Sequence, residues 1–319
     1  MEVFNPNSNV NFLGLRKISI AVSVLLVVLS IAAIFGKGLN YGLDFTGGVL
    51  IEVKYDQPVE IGDVRAALAV GGYEDAQVVS VGGAREVAIR LQARADQARE
   101  AGKSASETIA AGVLKALQAK RGDAKMTHDP DYVGATVGEE LKSDGIVAVL
   151  FVIIGIMIYI GIRFEWRFAI AAIASEFHDT LITVGFYAIT QHEFDITVLA
   201  SVLAVVGYSI NDKVVVFDRV RELFRSSRKA EPVEVLNKAI NSTLSRTIIT
   251  ALFTAVTMVA LYFFGGPVVH GFALTMLIGI VVGTLSSIFF ASPILLWLGV
   301  SKKDLMPVTR DNPELARRP

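Results

Sequence analysis

The sequence predicts a multi-span α-helical membrane protein carrying one polar α+β insert. Of its 319 residues, 53% are hydrophobic and the mean hydropathy is +0.53. Several apolar runs reach about twenty residues, the length a helix needs to cross a hydrocarbon core about 30 Å thick. Six such runs are legible: Ile18 to Phe35, Ile146 to Ile162, Phe168 to Thr190, Ile196 to Phe217, Leu244 to Phe264 and His270 to Leu298. The formal net charge of −1 hides a segregation of charge, and no nucleic-acid partner is expected. Cysteine is absent, which removes thiol and disulfide chemistry.

Lys and Arg in short connections are retained on the cytoplasmic side. One side collects Arg16, Lys17, Arg163, Arg167, the group Arg219, Arg221, Arg225, Arg228, Lys229 and Lys238, and Lys302, Lys303, Arg310, Arg317 and Arg318 of the tail. The opposite short loops, 191–195 and 265–270, carry no Lys or Arg. Both termini are therefore expected in the cytoplasm and the large insert outside. The expected divisions are a cytoplasmic N-terminus over 1–17, a first span over 18–35, an outer domain over 36–145, helices two to six over 146–299 with an amphipathic cytoplasmic loop at 218–243, and a tail over 300–319. Arg16 and Lys17 flank the first run as in a signal peptide, but no convincing small-residue cleavage pattern follows it, so it is read as an uncleaved anchor.

After the first span, YGLDFTGGVLIEVKY places Gly42, Gly47 and Gly48 around Asp44 and then a strand from Val49 to Tyr55. The glycines predict a tight turn seating the outer domain on the membrane, with Asp44 bonding nearby amides. Ile61 to Val70 has helical spacing, Ala76 to Val81 and Glu86 to Gln92 read as strands, Ser106 to Lys120 as an amphipathic helix, and Asp131 to Val137 as a last strand. The order strand, helix, strand, strand, helix, strand is that of ferredoxin-like domains. The insert holds no carboxylate pair or ligand cluster, and a binding or mechanical role follows; no catalytic residue, metal or cofactor is expected.

The membrane part concentrates its chemistry in three helices. In the third, Glu176, His178 and Asp179 lie roughly 12 to 17 Å from the start at Phe168. Ionisable groups at that depth read either as a proton-handling site or as a packing cluster. His178 alone reads as a hydrogen-bonded packing residue. In the fourth, GYSINDKVVVFDRVRE from Gly207 to Glu222 introduces Asn211, Asp212 and Lys213 into an apolar run. Asp212 lies roughly 10 Å inside the point where Arg219 emerges, in the cytoplasmic third. A carboxylate there costs somewhat less than the 2.5 to 3.5 kcal/mol of the bilayer centre, so it is expected to face protein interior. The following stretch PVEVLNKAI reads as a short amphipathic helix on the lipid surface. Arg246 at the start of the fifth helix reads by position as an interfacial anchor. Gly279 and Gly283 in the sixth form a small-xxx-small pattern for close helix approach.

Four blocks in this order, YGLDFTGG, HDTLITVG, GYSINDKVVVFDRVRE and FGGPVVHGFALTMLIGIVVGTLSSIF, closely resemble the SecD/SecF family of bacterial protein export. The resemblance spans nearly the whole chain. It implies a six-helix relative of the resistance-nodulation-division transporters in the bacterial inner membrane, paired with SecD, attached to the SecYEG channel and acting late on unfolded preprotein. It also implies use of the proton motive force through an Asp of the fourth helix and an Arg of the fifth, which fall on Asp212 and Arg246. Lys213 departs from the small polar residue the family suggests, and Glu176 is not a position associated with it. Two alternatives stay open: a structural subunit in which Asp212 and Arg246 pin helices together, and a proton-driven exporter of small molecules or lipids.

Overall fold

The structure is a computed structural model that describes residues 9–80, 83–91, 103–226 and 231–301. The expected tail from 302 onward, the entry residues before 9, Gly82 and the basic Arg228 and Lys229 lie outside the described residues.

A 3-10 turn, Phe12–Leu15, leads into α1, Arg16–Gly36. The sheet domain then forms from β2 (Gly48–Lys54), α3 (Ile61–Val70), β3 (Gln77–Ser80), β4 (Glu86–Leu91), α4 (Lys103–Lys120), β5 (Lys125–Met126) and β6 (Asp131–Val133). Its strands pair antiparallel in the order β3-β4-β2-β5, with β6 also on β2. Alternation decides which face is covered: Val49, Ile51 and Val53 are buried with Val64 and Leu68 of α3 and Val113 and Leu117 of α4. The last strand ends at Val133 rather than Val137, because α5 takes over at Ala135 and runs to Arg163. Its first turns are polar but helical, and Gly138 packs against Phe45 and the amide of Gly47.

α6 (Trp166–Thr190), α7 (Ile196–Ser226), α8 (Pro232–Phe264) and α9 (Pro267–Ser286) follow; after α9 a π-helical turn over Ser287–Ala291 joins α10, Ser292–Trp297. Five segments are long and apolar enough to cross a membrane: Phe12–Gly36, Val137–Arg163, Ile196–Ser226, Pro232–Phe264 and Val268–Trp297. α6 is of similar length, but Glu176, His178 and Asp179 lower its hydropathy. In their most apolar windows, α7 and the 268–297 segment are 44% and 56% buried against 6% for α5 and α8, so these two form the interior of the bundle.

The expected surface helix PVEVLNKAI is instead the buried beginning of α8. Val235, Leu236, Ala239 and Ile240 pack with Leu13, Phe217 and Phe224. The polar run after it does not break the helix because its hydroxyls bond back to the preceding turn: Ser242 and Thr243 both donate to the carbonyl of Ala239. Asn237 and Asn241 on the same face hold the entry segment, accepting from the amides of Leu13 and Val10 at 3.1 and 3.0 Å.

The glycine pattern of α9 does what its spacing predicts. A Cβ on Gly279 would lie 2.2 Å from Val205, and one on Gly283 would lie 2.6 Å from the Ser209 hydroxyl. Close approach of α9 to α7 thus depends on both. Gly283→Ala is expected to destabilise the bundle by about 1–3 kcal/mol through overpacking, read as a lower Tm in detergent. Gly207→Ala, which meets nothing within 4 Å, serves as the control and is expected to leave Tm unchanged or slightly raised.

Candidate functional site

Three helices, α6, α7 and α9, bring their polar residues to one level of the bundle. Asp179 is fully buried, and its Oδ2 accepts from Ser209 Oγ and Ser286 Oγ at 2.6 Å each and from Lys213 Nζ at 2.8 Å. Its Oδ1 lies 2.7 Å from His178 Nδ1. Lys213, also fully buried, donates to Glu176 Oε2 at 2.7 Å and to Ser209 Oγ at 2.9 Å as well as to Asp179. Its ammonium has three donors, and all three are used. His178 stacks on Phe290 with ring centroids 4.1 Å apart, which fits its reading as a packing residue. Glu176 and Asp179 share a face of α6 as their spacing of three requires. Ser209 and Lys213 do the same on α7 at a spacing of four.

Lys213 is the residue that sequence reasoning left without a role. It is the counter-ion of the α6 carboxylates, and the signal that could have revealed it was charge balance: two extra acids on one helix and one extra base on the next. The α6 cluster and Asp212 lie within about one turn of each other along α7, since Asp179 accepts from both Ser209 and Lys213. Asn211, grouped with the polar cluster by sequence, is exposed and takes no part in it.

Asp212 occupies a second position on the neighbouring face of α7. It is 3% exposed, and its Oδ2 has no hydrogen-bond partner. Three buried hydroxyls around the α7, α8 and α9 contact share that condition: Tyr208, Thr247 and Thr284. Lys213 and Arg246 are the cations acting on Asp212, and Thr284 faces it. Arg246 itself is exposed on α8 and forms no ion pair with Asp212 within 4 Å. The two residues expected to be partners are thus near one another but separate. An unsatisfied buried polar group costs about 1–3 kcal/mol. Among the described residues, no group of His, Asp and Glu is arranged to hold a metal ion.

The third constellation lies at the far end of α7. β1 (Asn40–Tyr41) pairs in parallel with β7 (Glu193–Phe194), and α2 (Leu43–Thr46) follows β1. Asp44 does not bond nearby amides as expected. Its Oδ2 accepts from the amide of Ile196 at 3.0 Å, while Asp195 Oδ1 accepts from Val198 at 2.7 Å. Both carboxylates therefore cap the N-terminus of α7, where the helix dipole favours negative charge. Gly42 is needed for this approach, since a Cβ there would lie 2.8 Å from Glu193 Oε1. At Gly48, φ is +137° and a Cβ would fall 2.2 Å from the Leu91 carbonyl oxygen. Arg90 of β4 forms an ion pair with Glu193, tying the sheet to the same connection. Burial pushes the Glu193 carboxyl above the usual range against the pull of Arg90, and Asp195 and Asp44 add to the push. A cleft of about 280 Å³ beside it is lined by Tyr41, Gly47, Gln77, Arg90 and Gln191; Asp212 does not line it.

Lys213→Met is expected to destabilise the protein by about 3–5 kcal/mol, because it leaves buried carboxylates without their cation. Lys213→Met combined with Asp179→Asn is expected to cost less than the sum of the two single changes. Denaturant or thermal unfolding of the four proteins in one detergent checks this.

Residues 113–301 match the family model described as protein export membrane protein SecD/SecF, C-terminal, and residues 32–59 match the SecD/SecF GG motif. The protein translocase subunit SecF of Pseudomonas aeruginosa is 45% identical over 298 residues, covering 93% of this chain and 94% of that relative. The SecF subunit of Vibrio alginolyticus is 41% identical over 306 residues, covering 96% and 95%. Among solved structures, the crystal structure of SecDF, a translocon-associated membrane protein from Thermus thermophilus, superposes with a TM-score of 0.79 at 35% identity, over 92% of this chain. The present chain spans only 39% of that longer one. SecDF in a super-membrane-facing form superposes with a TM-score of 0.66 over 91% of this chain.

Proposed function

The chain belongs to the SecD/SecF family of protein-export membrane proteins, and from that membership we propose that it is the SecF subunit of the bacterial Sec machinery. It is a multi-pass membrane protein whose named relatives are translocase subunits, which are transport components. It pairs with SecD, the other half of the longer SecDF chains, and acts with the SecYEG channel on unfolded preprotein late in export. In this reading α6 also spans the membrane, third in chain order and bringing the spans to six, with its ionisable residues facing inward. The sheet domain, with its split strand order, is a ferredoxin-like domain on the periplasmic side, and both termini are cytoplasmic in the inner membrane.

The proton motive force enters at Asp212. The observation that carries this is its buried carboxyl with an unpartnered Oδ2, set near the hydroxyls of Tyr208 and Thr284 and near an arginine that forms no ion pair with it. An apolar surround favours a neutral carboxyl and an adjacent guanidinium favours the carboxylate. Approach or withdrawal of Arg246 across the α7–α8 contact therefore moves a proton off or on. One charge crossing 100 mV releases about 2.3 kcal/mol, enough to bias a two-state rearrangement nearly fifty-fold. That rearrangement reaches the sheet domain along α7, whose far end is capped by Asp44 from the turn that opens the domain. A purely structural pairing of Asp212 with Arg246 is disfavoured by the lack of an ion pair between them.

Asp212→Asn is expected to insert and fold normally and to lose at least tenfold of the gradient-dependent stimulation of export in vesicles. Equal export by the variant under an imposed gradient contradicts the reading. Asp44→Ala is expected to keep the protonation site but weaken the same stimulation, since it removes one of the two caps on α7, at a cost of about 1 kcal/mol.

A further inference from the structure

The α6 cluster holds one positive charge against two negative ones: Lys213 faces both Asp179 and Glu176. Buried charges are tolerated when paired, so this cluster reaches neutrality only with one more proton. Asp179 is not where that proton sits, because its oxygens are already served by Ser209, Ser286, Lys213 and His178. Two buried atoms remain without a partner, Glu176 Oε1 and His178 Nε2. A proton on either gives neutrality. On Glu176 it leaves the Lys213–Asp179 pair; on His178 it makes two pairs, His178 with Asp179 and Lys213 with Glu176. The carboxylate of Asp179 beside Nδ1 holds the neutral imidazole in the tautomer that leaves Nε2 as an acceptor.

We infer that Glu176 and His178 form a second proton-binding site, sharing one exchangeable proton and coupled to Asp212 through Lys213. The coupling is geometric: Lys213 is ion-paired with Glu176 at 2.7 Å and Asp179 at 2.8 Å, and it is the residue next to Asp212 on α7. The other groups facing the cluster are uncharged: Ser209 of α7, Ser286 of α9 and Phe290 of the π-helical turn. Arg246 of α8 is exposed and forms no ion pair with Glu176 or Asp179. A proton bound at the cluster frees Lys213 from part of its burden of negative charge, so its field at Asp212 is felt more strongly; loss of that proton reverses this. The inference rests on the reading that Asp212 exchanges protons, and it adds a site whose occupancy sets how readily Asp212 does so.

The test is an infrared pH titration of the full chain with its SecD partner in lipid bilayers, with the carboxyls of this chain isotopically labelled. It is read as the difference between proteins that differ by Glu176→Gln alone, so that the bands of all other glutamates cancel. Glu176→Gln keeps an oxygen acceptor for Lys213 and removes only the surplus charge. In the Asp212→Asn background the difference is expected to show one titrating carboxyl band. No titrating difference overturns the inference, since the proton then sits elsewhere. A difference seen with Asp212 but absent from Asp212→Asn overturns it as well, since the second site then has no proton of its own. If no titrating aspartate band is lost on Asp212→Asn, the Asp212 reading is contradicted and the second site stands. Should Glu176→Gln fail to fold, the same difference is read with His178→Gln, which is expected to shift the midpoint of the Glu176 band; an unmoved midpoint overturns the sharing of one proton.

Discussion

The ammonium of Lys213, held among two carboxylates in the middle of an apolar bundle, is the interaction on which the membrane half depends. Its three donors end on Glu176, Asp179 and Ser209, so one side chain fixes the register of α6 against α7. Ser286 brings α9 onto the same carboxylate. That convergence needs backbones close enough for short hydroxyl side chains to reach, which is why Gly279 and Gly283 face α7. Removing Lys213 leaves buried carboxylates uncompensated, and a buried pair broken on one side costs more than an absent pair. The polar core therefore specifies one packing of three helices where lipid-like surfaces alone would allow several.

Asp212 contrasts with Asp179. Asp179 accepts from Ser209, Ser286 and Lys213 and lies beside His178, whereas Asp212 Oδ2, like Glu176 Oε1, has no hydrogen-bond partner. A fully bonded carboxylate has less reason to change state than an under-bonded one. Helix α7 carries the consequence outward, since Asp44 and Asp195 close its far end and Arg90 holds Glu193 beside them. These polar contacts join the far end of α7 to the sheet domain.

Much of this was legible from residue order. Apolar runs located the spans, and alternation in VLIEVKY gave β2 its buried face. The strand and helix order gave the insert its layout, and the spacing of Gly279 and Gly283 marked a close helix approach whose partner, α7, only the structure identifies. Elements were misread where local polarity and tertiary contact disagree. The hydroxyl-rich run after Asn241 looked like a break, but its side chains satisfy the preceding turn and α8 runs through. Asp44 looked like a local turn residue, yet it caps a helix 152 positions away in sequence, a pairing that no local pattern encodes. Lys213 was visible as an anomaly; its partners were not, because Glu176 and Asp179 meet it only once two helices pack. Arg246 was placed beside Asp212 by analogy, and the structure sets it at the edge of that site.

The central claim is that the charge state of Asp212 is coupled through α7 to the posture of the sheet domain. The chain has no cysteine, so a pair of spin labels can be introduced at exposed Val79 of β3 and exposed Phe264 at the end of α8. Their distance distribution would be followed against pH in the full chain bound to its SecD partner in bilayers. The account predicts a distribution that shifts with pH in the wild-type background and is fixed in Asp212→Asn. A pH-dependent shift that persists unchanged in Asp212→Asn, or no shift in either, would contradict it.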